Sequence, residues 1–293
     1  MRLIFPLLCA LLPGLLLSGC DRGSGLPDPG SGPFKVLVYS RTAGFRHTSI
    51  EPGIAALGEI GSANGFAVDA TEDPSVFTAA NLRQYAVVLF LNTTLTVLDT
   101  EAQRQALQGF MAAGGGYVGI HSAADTEHDW PWYGSLVGAY FKSHPVQQVG
   151  RFRIEAADHP SVAHLANPYT IFDEFYSFKT NPRGTVRVLM NIDEASYQQN
   201  PNTSCLPESP TFPNGVSGVM GDHPMSWCHD RMGGRAWYTA LGHEAGLYQL
   251  PDFRQHLLQG ILTAARRVPA DCTPREAAPT PLPPETPRMC PVL

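Results

Sequence analysis

Apolar and polar positions along this chain change period repeatedly, alternating two kinds of element. Lys35 to Ser40 (KVLVYS) is a short β-branched and aliphatic run bounded by polar residues, the pattern of a strand buried on both faces. After the loop RTAGFRHTS the spacing turns helical, with Ile50, Ile54, Leu57 and Ile60 recurring every three or four residues and Ser49 placed as an N-cap. Ala67 to Ala70 and Ala86 to Leu91 read as the next two strands. Asp99 to Ala113 reads as an amphipathic helix capped by Asp99 or Thr100 and ended by Gly114 to Gly116. Tyr117 to Ile120 is then a strand that feeds directly into His121-Ser122-Ala123-Ala124-Asp125. Strands alternating with helices predict right-handed crossovers and a mainly parallel sheet covered by helices on both faces. The second half is richer in strands: Gly150 to Ala156, Ile171 to Phe178, Val186 to Asn191, and an antiparallel hairpin from Met225 to Ala240 that turns at Asp230 to Gly234. Asp252 to Arg267 closes the pattern as an amphipathic helix.

Outside residues 34–267 the pattern is different. Residues 1–19 carry one early cation, Arg2, and an apolar run from Leu3 to Leu17 interrupted by Pro6, Pro13 and Gly14. That run is too short and broken to span a bilayer, and it reads as an export signal. Its end, Leu17-Ser18-Gly19-Cys20, resembles the bacterial lipobox, which implies cleavage before Cys20 and lipidation of its sulfur. Residues 20–33 are rich in Gly, Pro, Ser and Asp and are expected to form a flexible tether, and residues 268–293 a loose Pro-rich tail. The expected location is the cell envelope, anchored to a bacterial membrane through Cys20 and facing the periplasm or the exterior. Residues 34–267 have a length suited to one α/β domain.

Charge and cysteine content narrow the function further. The net charge is −6 and no block of Lys or Arg occurs, which argues against a nucleic-acid partner. No GxGxxG follows a strand, so no nucleotide cofactor is expected. Of the six cysteines, Cys9 leaves with the signal and Cys20 carries lipid. The remaining Cys205, Cys228, Cys272 and Cys290 suit an oxidising compartment. The favoured pairing is Cys205 with Cys228, stapling a polar insert at residues 196–222, and Cys272 with Cys290, although four cysteines allow three connectivities.

Several phrases occur in order: TAGFRHTS at 42–49, GGGYVGIHSAADT at 114–126, FDEF at 172–175 and RAWYTALGHE at 235–244. Together they resemble the trehalose-utilisation (ThuA-like) family of the class I glutamine amidotransferase-like superfamily. The resemblance covers nearly the whole domain and implies a flavodoxin-like, doubly wound sheet. In amidotransferases of that fold the turn after a central strand presents a nucleophilic cysteine. Here the turn carries His121, so thiolate chemistry is not expected.

The residues also point to a site on their own. Ligands of open α/β sheets sit at the carboxyl ends of the strands, and the polar residues fall there. His47 follows the first strand, His121 ends the Tyr117 to Ile120 strand, Asp173 and Glu174 begin a strand, and His243 and Glu244 end the second strand of the hairpin. Imidazoles and carboxylates can bind a divalent metal such as zinc or run acid/base chemistry near neutral pH. His47, His121, Glu174 and His243 are the candidate catalytic and metal-binding residues. Asp125 and Ser122 are candidates to orient them and contact substrate. Which of Asp173 and Glu174 faces the crevice is left open, because strand neighbours point to opposite sides. Trp130 and Trp227 are candidate rings for stacking on a sugar. His144, His159, His223 and His229 are weaker candidates, whereas His128, His164 and His256 read as surface or helix residues. The resemblance supplies the substrate class, a carbohydrate, trehalose-related or an oxidised disaccharide, and the lack of a GxGxxG after a strand favours a hydrolase or lyase over a redox enzyme. The alternative is a non-catalytic sugar-binding or scaffold lipoprotein using the same crevice.

Overall fold

The computed structural model describes residues 32–199 and 218–276. The export signal, nearly all of the tether, Cys20, Cys205 and Cys290 lie outside the described residues. Among those residues none forms a helix long and apolar enough to cross a membrane.

The first half runs β1 (Phe34–Tyr39), α1 (Ile50–Asn64), β2 (Phe66–Thr71), α2 (Ala79–Leu82), β3 (Val87–Leu91), α3 (Glu101–Ala112), β4 (Gly116–Ile120) and α4 (Pro131–Val137). The second half runs β5 (Phe141–Ser143), β6 (Gln148–Ile154), β7 (Tyr169–Asp173), β8 (Ser177–Phe178), β9 (Arg187–Ile192), β10 (Pro224–Met232), β11 (Gly234–Thr239) and α5 (Pro251–Ala264). Nine strands form one sheet in the order β2-β1-β3-β4-β11-β10-β9-β6-β7. From β2 through β11 the neighbours are parallel; from β11 through β7 they are antiparallel. The hairpin joins the two halves, because its second strand, β11, lies parallel beside β4 while β10 opens the antiparallel part. This is the expected doubly wound α/β architecture, extended by an antiparallel half in which β6 lies between β7 and β9.

Side chains of β11 show how both faces are covered. Trp237 lies against His256 and Gly260 of α5, whereas its neighbour Tyr238 packs at a tilt against Trp227, their ring centroids 4.5 Å apart. Successive strand residues point to opposite faces. Tyr133 of α4 bonds Tyr117 at 2.7 Å, and Arg104 of α3 lies 5.3 Å from the Trp130 ring just before α4. The strands β3, β4, β9 and β11 are buried along their whole length, as their near-continuous apolar runs require. Thr100, not Asp99, caps α3, forming a reciprocal capping box with Gln103.

The structure corrects four local expectations. Ile171 to Phe178 is not one strand: β7 ends at Asp173, and Ser177–Phe178 pairs with β5 in a separate two-stranded sheet. Residues 174–176 break the ladder because their side chains turn into a polar and aromatic cluster. Ser49 occupies the N-cap position of α1 without capping it; its hydroxyl donates to the Gly242 carbonyl instead. His256 belongs to a helix but not to the surface: it is buried, between Ser161 O at 2.7 Å and Thr239 Oγ1 at 3.1 Å. The disulfide joins Cys228 to Cys272, so neither Cys205–Cys228 nor Cys272–Cys290 forms. Cys228 points out of β10 toward the segment that returns after α5, and the Cα atoms are 5.2 Å apart, a proximity that only the tertiary path creates. That bond pins the start of the expected tail to the sheet.

Candidate metal centre

His121 occupies the elbow after β4. The chain leaves the strand there for a short 3-10 turn, His121–Asp125, and His121 adopts a φ of 49°. Few non-glycine residues occupy this left-handed region, and such strain is found where surrounding structure imposes it for function. The imidazole Nδ1 lies 2.8 Å from the Ala240 carbonyl. A carbonyl only accepts, so Nδ1 carries the proton and Nε2 presents its lone pair to the opposite side.

On that side three other donors converge. Glu174 Oε2 is 3.4 Å from His121 Nε2 and 3.2 Å from His243 Nδ1, and the two imidazole nitrogens are 3.3 Å apart. His47 completes the group, its ring centroid 4.9 Å from that of His121 and 5.0 Å from that of His243. One donor atom from each of the four lies within 4.8 Å of the others. Ligands about 2.0–2.1 Å from a tetrahedral zinc are about 3.3 Å apart, so three of the spacings match that polyhedron. The donor set, three imidazoles and one carboxylate, suits zinc or a similar divalent ion.

The backbone that delivers these side chains is tightly held. Gly242 has a φ of 122°, and a Cβ there would lie 2.8 Å from Ile120 Cγ2 and 2.9 Å from the Tyr248 hydroxyl, so only glycine fits before His243. The Gly242 carbonyl accepts from Ser49, Asn92 and Tyr248. Asp173 accepts the amide N–H of Gly242 at 2.7 Å and of Glu244 at 3.0 Å. The alternation left open in FDEF is thereby resolved: Glu174 faces the cluster, while Asp173 positions the loop that carries His243 rather than meeting a substrate. Burial raises the Asp173 pKa to about 7, although its backbone hydrogen bonds oppose the rise.

Electrostatics within the cluster follow from burial and mutual contact. Burial, then the charges of His121 and His243, pushes His47 far below the ordinary imidazole range. Burial also lowers His121, against a raising contribution from Glu174. For Glu174, burial would raise the carboxyl, but its contacts with His121, His144 and His243 outweigh that and hold its pKa well below the ordinary carboxylate range. Burial of His243 is likewise outweighed, by Glu174, and its pKa is raised. Neutral His47 and His121 beside an ionised Glu174 suit metal binding, whereas the raised pKa of His243 means that a metal would displace a proton there.

Of the other candidates, Ser122 lies next to the group, its hydroxyl 3.4 Å from His47 Nδ1. Asp125 turns away to His128 at 2.7 Å. Trp130 is stacked on Trp132, and Trp227 is buried with its N–H on the Val137 carbonyl. Neither is a sugar platform; both fill the core. Two further residues belong to the site, one a weaker candidate and the other not marked in sequence. His144 Nδ1 meets Glu174 Oε1 at 2.9 Å, and the Gln147 amide lies 3.3 Å from the same oxygen and 2.9 Å from His243 Nε2. His144 precedes a proline and looks like a turn residue in sequence; Gln147 belongs to no pattern at all. The Tyr176 ring underlies His121 at 4.2 Å.

Comparison with known proteins agrees with this architecture. The family model described as trehalose utilisation, ThuA, matches residues 35–264. A ThuA-like protein from Bacteroides uniformis superposes with a TM-score of 0.63 at 24% identity, covering 79% of this chain and 91% of that one. A second, from Parabacteroides merdae, gives a TM-score of 0.62 at 19% identity over 83% and 98% of the two chains. No curated protein matches significantly in sequence.

Proposed function

The chain belongs to the trehalose-utilisation (ThuA) family, and from that premise we propose that it acts on a trehalose-related or oxidised disaccharide, as a hydrolase or lyase, with a divalent metal held by His47, His121, Glu174 and His243. The observation that carries this reading is the convergence of those four donors, which come from four separate stretches of chain, within 4.8 Å of one another. Such an ion would supply Lewis acidity toward a sugar oxygen.

The chain's own residues do the rest. Ala240 O and the Ser122 hydroxyl orient His121 and His47. His144 holds its Nδ1 proton on Glu174 Oε1, opposite the oxygen that faces His121 and His243. His144, partly exposed and not one of the four metal-holding residues, is placed to pass a proton between solvent and a bound sugar. The tyrosine floor and the closed backbone around Gly242 keep bulk water from the buried side. Export and lipidation at Cys20 would hold this chemistry at the envelope; native protein whose mass shows no cleavage before Cys20 and no acyl groups on it would refute that part.

Elemental analysis of the purified protein tests the central claim. About one equivalent of metal is expected, lost in His121→Ala and Glu174→Gln. Trehalose and its oxidised derivatives, incubated with loaded and chelator-treated protein and followed by mass spectrometry, should show cleavage only with the loaded form. Equal metal content in native and variant proteins, with no sugar altered, would overturn the reading.

A further inference from the structure

Trp130 and Trp227 being core residues, the site needs another apolar surface if it is to hold a sugar, and one stands beside it. Phe45 is the most exposed large apolar side chain among the described residues, at 66%. A single exposed hydrophobic residue is ordinary on a protein surface. Two features set Phe45 apart.

First, its ring lies 4.9 Å from that of His47, edge to face, so it adjoins the metal-binding group directly. Second, its exposure is imposed by a held backbone. Ala43 N–H donates to Thr94 O at 2.9 Å, Gly44 N–H to the Thr94 hydroxyl at 3.1 Å, and that hydroxyl donates to Phe45 O at 3.0 Å. On the other side Arg46 pairs with Glu51 at 2.6 Å and Glu72 at 2.8 Å. Gly44 sits close over Leu95, whose methyl would be 2.8 Å from a Cβ at that position, and Leu95 is itself exposed. The ring therefore cannot fold back into the core without breaking contacts on both sides.

We infer that Phe45, flanked by Leu95, is the platform on which one pyranose ring of the substrate stacks. A pyranose offers a face of polarised C–H groups, which suits the electron-rich face of an aromatic ring. Its rim of hydroxyls suits the adjoining imidazoles and carboxylate of the group that begins at His47. A flat apolar ligand would leave those polar groups unmet, and a small polar one would leave Phe45 uncovered. The inference rests on the carbohydrate reading above and adds the residue that selects a sugar by its face.

The test is trehalose binding to the metal-loaded full-length protein, by calorimetry and by saturation-transfer NMR with irradiation of aromatic protons. Phe45→Ala should weaken binding about five- to tenfold and reduce transfer to the C–H protons of one sugar face relative to the rest of the sugar, with metal content and melting temperature unchanged. Phe45→Trp should retain both signals. Native protein that binds trehalose as tightly as Phe45→Ala does would overturn the platform alone, and a change in molecular mass on substitution would then assign Phe45 to contact between copies. Metal-loaded native protein that binds no sugar would overturn the carbohydrate reading and the platform with it.

Discussion

The carboxylate of Glu174 divides its two oxygens between different tasks, and the residues around it can be told apart by which oxygen they touch. Oε2 faces His121 and His243; Oε1 meets His144 and Gln147. A partner that holds a ligand's outer atom fixes its direction and tunes its basicity, and losing one costs about 10- to 100-fold in metal affinity. His144→Phe is therefore expected to keep the fold and lower zinc affinity by that factor, measured by competition with a chromophoric chelator. An unchanged affinity would mean that Glu174 is oriented without His144. Phe45, His47 and His121 were all visible in sequence as members of short motifs. His144 was only a weak candidate, because its role depends on β5 and β8 pairing across the end of the sheet.

At the scale of elements, what matters is how closely strands and helices approach. β4 delivers His121, and its position against α5 depends on Gly116, where a Cβ would lie 2.6 Å from the Ala264 carbonyl oxygen. Both atoms are backbone or fixed to it, so the strand or the helix must shift. Gly116→Ala should destabilise the protein by about 1–3 kcal/mol, read as a lower urea midpoint, and should weaken metal binding as the elbow moves. A midpoint equal to that of the native protein would show that α5 yields freely. The break between β7 and β8 belongs to the same scale. The sequence IFDEFYSF has strand composition throughout, yet its middle crosses to the end of β4, where Glu174 and Tyr176 meet His121.

The whole molecule is closed by the bond between Cys228 and Cys272, 44 residues apart. On the chain-entropy account a loop of that length contributes about 4 kcal/mol by restricting the unfolded chain. Replacing both cysteines by serine should lower the melting temperature by several degrees, with metal content retained because the bond lies apart from the site. The response to acid is also global. Burial lowers His229 to about 4 and His256 to about 3, partly offset by their bonds to the Leu136 and Ser161 carbonyls. In the unfolded chain both titrate near 6.5, so below that pH unfolding takes up protons that the folded form refuses. Stability is then intact above about pH 6.5 and lost as pH falls toward 4, each histidine adding a slope of up to about 1.4 kcal/mol per pH unit. Urea midpoints at pH 7.5 and 5 check this; equal values would refute it.

Local order and chemical type were determined by the sequence itself. The alternation of apolar periods, the glycines that end α3, and the motifs around His47, His121 and His243 specify a doubly wound domain with imidazoles at its strand ends, because periodicity and turn chemistry act over a few residues. Proximity was decided by the tertiary structure. Which acid of FDEF faces inward, which tryptophans are core, which cysteines pair, and that His144 and Gln147 back Glu174 all depend on chain segments dozens of residues apart meeting across the sheet. No local pattern carries that information, since burial and contact are properties of the packed whole.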